Sequence, residues 1–143
     1  MSLDVSIFFR KPKQSNYFLE HPYIYNNLSE RDKECYREAE RWSSNITHNM
    51  GVMARNVPIS TEKLSTNLYQ VCWRPEEIGV ETVGVILPLL ISGIHYMIDH
   101  RKELLQYNPE NGWGDYDSFM KFLLDYKQAC EDNDPECKIE TYR

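Results

Sequence analysis

Long apolar runs are missing from this sequence. The longest, "VGVILPLLISGI" at residues 83–94, carries a proline and two glycines. It falls short of the roughly 18 to 20 apolar residues of a membrane span. The first residues lack the basic start and apolar middle of a signal peptide. Positive charge is also short: 16 Lys and Arg stand against 22 Asp and Glu, a net charge of -6. Only Arg10, Lys11 and Lys13 cluster, and neutralising phosphates needs many more, so nucleic acid is not an expected partner. Glycine is scarce, and neither a GxxxxGK phosphate loop nor a GxSxG elbow occurs. No HExxH occurs, and Cys35, Cys72, Cys130 and Cys137 form no CxxC pair, so no metal site or cofactor is expected. The pattern suits reduced thiols in a cytoplasmic protein, although Cys130 and Cys137 could approach each other across "EDNDPE".

Aromatic residues are plentiful, with ten tyrosines and three tryptophans. "LDVSIFFRK" alternates and predicts a strand ended by Pro12. Residues 14–28 read as an aromatic loop, and a helix is expected from Ser29 through Cys35, Ala39 and Trp42. In "NITHNMGVMARNV" the spacing of Ile46, Met50, Met53 and Val57 predicts a helix with that stripe inward and His48 opposite. "ISTEKLSTN" reads as a polar connection, "LYQVCW" as a short strand, and "RPEEIG" as one helical turn. A central helix is expected from Val85, with Pro88 in its first turn and Ile86, Leu90, Ile94 and Met97 buried. Leu89, Gly93 and Leu104 widen that face. "YNPENGWGDY" is a turn-rich loop, and Asp115 or Asp117 caps a further helix. There Phe119, Leu123 and Tyr126 alternate with Tyr116, Met120 and Leu124. "CKIETYR" alternates as a last strand. The fold class that follows is α+β: a mostly helical single domain, 1–143, with a small sheet pairing the first and last strands.

Three stretches are more polar and aromatic than packing requires: "NITHN", "WRPEE" and "NGWG". In this order, with a "LIPLL"-type helix start at 86–90, they resemble an uncharacterised family of small phage, prophage and bacterial proteins. The likeness covers roughly residues 45 to 130. The chain departs from that pattern in having Met50 where leucine is usual and a longer stretch before Asn45. The resemblance implies a phage or prophage origin and brings no known activity.

The candidate ligand or partner surface is Asn45, His48, Asn49, Trp73, Arg74, Glu77, Asn111 and Trp113. Each has a plainer reading. His48 can be a solvated helix residue, and Arg74 can form an internal salt bridge with a nearby acid. Trp113 is expected to be buried as a cap on the helical layer; if exposed, it would anchor a partner. A Cys72–His48 pair is conceivable, but a free cysteine is more often a small buried hydrophobe. No catalytic constellation is complete. The expectation is a non-enzymatic accessory or interaction protein of phage type, with an unidentified protein or small-molecule partner. The alternative is a small-ligand binder or small enzyme with a pocket at His48, Trp73, Arg74 and Trp113. A third is an acidic decoy of a nucleic-acid-binding protein. An enclosed polar pocket would favour the second; an open aromatic patch would favour the first.

Overall fold

The computed structural model describes residues 1–8, 23, 26, 27, 29, 30 and 40–143. The expected loop at 14–28 lies outside the described residues except Tyr23, Asn26 and Asn27. So does the expected helix over residues 31–39, including Cys35 and Ala39.

Strand β1 (Ser2–Phe8) forms where the alternation predicts it, with Leu3, Val5 and Ile7 fully buried. It pairs antiparallel with β5 (Lys138–Tyr142), Ile7 facing Ile139, so the first and last strands do join. The sheet holds a third strand that the sequence reading missed, β2 (Glu40–Thr47), in the order β2-β1-β5. Trp42 and "NIT" are therefore strand rather than helix. Their small polar residues hid an alternation in which Trp42, Ser44 and Ile46 are more covered than Arg41, Ser43 and Asn45. After a 3-10 turn at His48–Met50, the helix of this stretch shrinks to α1 (Gly51–Arg55). The predicted apolar set nevertheless holds: Ile46, Met50, Met53 and Val57 are all buried.

The expected polar connection is a tight hairpin of β3 (Pro58–Ser60) and β4 (Ser65–Asn67). "LYQVCW" is a helix, α2 (Leu68–Trp73), not a strand. Its β-prone residues suggested extension, but Leu68, Val71 and Cys72 recur at helical spacing and are buried. The Asn67 side chain caps it, accepting from the Gln70 N–H at 2.9 Å. Pro75–Ile78 makes the expected single turn, closed by Gly79 at φ 74°.

Helix α3 (Val83–Asp99) begins two residues before its expected start, which places Pro88 beyond the first turn. The cause is remote in sequence. Its first free N–H groups, on Val83 and Gly84, donate to the carbonyls of Cys137 and Pro135, both at 2.9 Å. A short α4 (Arg101–Leu104) follows, and the chain turns by 87° between Val83–Asp99 and Arg101–Tyr107. Helix α5 (Tyr116–Asp132) starts with a capping box, Asp115 Oδ1 accepting from the Ser118 N–H at 2.7 Å. Its inner face carries Tyr116, Phe119, Leu123 and Tyr126, but Met120 is half-buried and Leu124 is exposed, so the broad face is narrower than expected. Helices α3 and α5 pack together, and Trp42 of β2 stacks on Tyr126 at 5.2 Å between ring centres. The result is a mostly helical α+β fold around one hydrophobic cluster. Among the described residues no single helix is long and apolar enough to cross a membrane.

Leu90 and Leu123 are fully buried in this cluster. Each change to alanine is expected to cost about 2 to 5 kcal/mol. Urea denaturation reads this directly, and a loss below about 1 kcal/mol at either position would contradict the packing described.

Candidate functional site

Thr47 ends β2 and its Oγ accepts from the Asn49 N–H at 3.4 Å, which turns the chain into the 3-10 turn bearing His48. That turn sets His48 against α2. The Trp73 indole N–H donates to His48 Nδ1 at 2.9 Å. Accepting at Nδ1 means that the neutral ring carries its proton on Nε2, so the group left to His48 is a donor. His48 is half-buried and Trp73 only 1% exposed. His48 is thus neither a solvated helix residue nor a core histidine. It satisfies a buried indole from the protein's rim.

The same turn reaches the "NGWG" loop. Asn49 Nδ2 donates to the Trp113 carbonyl at 3.3 Å, and the Trp113 N–H donates to Asn111 Oδ1 at 3.0 Å. Gly112 and Gly114 take positive φ angles of 73° and 92°. At Gly114 a Cβ would lie 2.7 Å from Thr47 Cγ2 and 3.0 Å from Met50 Sδ, so only glycine lets the loop lie this close. With its backbone tied at both ends, Trp113 is 71% exposed, against the expectation that it caps the helical layer. The loop's backbone packs on the protein and its indole does not. Met1, Thr47, His48, Asn49 and Trp113 line a hollow of about 460 Å³ here.

The remaining sequence candidates lie elsewhere. Trp73 is a core residue, stacked on Tyr69 at 5.3 Å and tilted against Phe119 at 6.0 Å. Arg74 takes its plainer reading, with Nη1 3.3 Å from Glu77 Oε1 and Nε donating to the Tyr69 hydroxyl at 3.4 Å. The Tyr69 bond and then the Glu77 charge push its pKa further up. Asn45 lines a different hollow, with Asp4, Ser6, Glu40 and Ser43. "NITHN", "WRPEE" and "NGWG" therefore meet through His48–Trp73 and Asn49–Trp113, but Arg74, Glu77 and Asn45 do not line the Trp113 hollow. Sequence reasoning missed Met1, Thr47 and Tyr69. Tyr69 stands four residues before Trp73, a pairing visible only once 68–73 is read as a helix. The Arg55 guanidinium carbon lies 3.9 Å from the Tyr69 ring centre.

No protein-family model, curated protein or solved structure matches this chain. The chemistry open to the site follows from its own residues. Cys72 is fully buried, and that burial pushes its thiol far up, away from the thiolate a nucleophile needs. Burial, Glu131 and Cys137 push the Cys130 thiol up to about 12. No group of three or more His, Cys, Asp or Glu among the described residues could hold a metal ion.

His48→Ala removes the acceptor of a buried indole N–H. The expected loss is about 1 to 3 kcal/mol, read by urea denaturation. A variant as stable as the parent would mean that the bond contributes nothing.

Proposed function

We propose that this chain is a non-catalytic interaction protein of phage type that engages a protein partner through Trp113. One observation supports this reading above the others: Trp113 is 71% exposed while its N–H and C=O are both held by side chains. Tryptophan is over-represented among residues that dominate binding energy, and fixing an anchor before binding lowers the entropy lost on association. The hollow beside it is shallow-walled, since Met1, Asn49 and Trp113 are all exposed. That is an open hollow beside one exposed tryptophan rather than an enclosed pocket. The unpaired thiols of Cys72 and Cys130 suit a cytoplasmic setting.

A small-ligand binder is the second reading, favoured by the hollow's volume of about 460 Å³ and by the Nε2–H donor of His48. The acidic decoy has less support, because Lys121–Asp125 and Lys127–Glu131 pairs interrupt the charge along α5.

A photoreactive benzophenone side chain in place of Trp113, in the cell that naturally makes the protein, distinguishes these. The expected result is one discrete adduct of protein mass, absent when the same group replaces exposed Leu124. No adduct, or the same adducts from both positions, would refute the Trp113 anchor. An adduct of small-molecule mass would favour the second reading.

A further inference from the structure

Among the described residues, the sheet has one edge closed and one edge open. At β5 the Ile139 N–H points away from β1 and donates to the Glu81 carbonyl at 2.9 Å, while Val83 N–H donates to Cys137 O. The segment before α3 therefore seals that side, with Thr82 bridged to Lys138. Because backbone groups alternate in direction along a strand, β5 bonds to β1 through Lys138, Glu140 and Tyr142, opposite Phe8, Ser6 and Asp4. Leu3, Val5 and Ile7 then bond to β2 through Ile46, Ser44 and Trp42. The His48 N–H donating to Met1 O at 3.3 Å continues the same ladder. Ser43 and Asn45 are left turning their N–H and C=O groups outward, and nothing among the described residues pairs with them. The middle of this edge, "SSN", has neither the charge nor the proline that usually blocks an edge.

We propose that β2 pairs antiparallel with β2 of a second copy of this chain, centred on Ser44, joining two three-stranded sheets. The register is self-complementary. Ser43 faces Asn45 of the second copy, so their outward N–H and C=O groups satisfy each other. On the covered face, Trp42 comes opposite Ile46 of the second copy, apolar against apolar. Sliding the copies by one step of the ladder in either direction would set Trp42 against Ser44 or His48 instead, losing the apolar pair. A small strand-to-strand interface of this kind makes a concentration-dependent dimer.

Sedimentation equilibrium of the full chain from micromolar to millimolar concentration tests this. The apparent mass is expected to rise from 17.0 kDa towards twice that value. Asn45→Pro removes only an outward N–H and should stay at 17.0 kDa throughout. Trp113→Ala should dimerise like the parent, which separates this interface from the Trp113 surface. A parent chain that stays monomeric over the whole range overturns the proposal, as does an Asn45→Pro chain that dimerises equally. Should Asn45→Pro fail to fold, Ser44→Cys decides. The central pair would stand about 4.5 Å apart between Cα atoms, within disulfide reach. Mild oxidation should give a covalent dimer that the parent does not form; its absence overturns the proposal.

Discussion

A chain ending at Cys137 is expected to lose most of its stability. Removing β5 strips β1 of one hydrogen-bonded neighbour and exposes Leu3, Val5 and Ile7, which are fully buried. Ile139 goes with it, together with its bond to Glu81. So does Arg143, whose guanidinium donates to the Trp73 carbonyl at 2.8 Å and pairs with Glu76. What remains is a two-stranded ribbon, marginal without a third strand. Lost burial and unpaired backbone groups together come to about 5 kcal/mol or more. That is comparable with the whole stability of a small domain, about 5 to 15 kcal/mol. The melting transition, followed by circular dichroism, should vanish or fall by about 15 °C or more. A midpoint within about 5 °C of the full chain would mean that the strand pairing contributes little.

Trp73→Ala should be the costliest single substitution considered, at about 3 to 5 kcal/mol. It empties the space between Tyr69 and Phe119 and removes the donor to His48. Trp73→Phe separates these effects, because it keeps most of the ring packing and loses the indole N–H. It should cost about 1 to 2 kcal/mol. Urea denaturation of the two variants checks this. Equal losses would show that the polar bond, not the ring, carries the effect.

Much of the core was legible in the sequence because burial follows local periodicity. Ile46, Met50, Met53 and Val57 were found correctly even though the element holding Ile46 was not. β2 was misread because "SSNIT" holds one apolar residue, Ile46, among small polar ones, a weak signal beside a strong helical stripe. Helix α3 began early because Pro135 and Cys137, far along the chain, supply the acceptors for its first N–H groups. No local pattern reports such a partner. The candidate site was partly visible for the same reason. Unusual composition marked "NITHN", "WRPEE" and "NGWG", and His48 does reach Trp73. Composition could not say that Trp73 lies under the surface, that Arg74 is occupied by Glu77 and Tyr69, or that Trp113 faces outward. The last of these depends on Gly114 packing against Thr47 and Met50, a contact between segments distant in sequence.

The functional reading depends on Trp113 being held still while exposed, because an anchor fixed before binding differs from a loose loop residue. The ¹⁵N relaxation order parameter of the Trp113 backbone amide measures this most directly. With Asn111 holding its N–H and Asn49 its carbonyl, the expected value is about 0.85, that of rigid backbone. A value below about 0.6, typical of a flexible segment, would contradict the account.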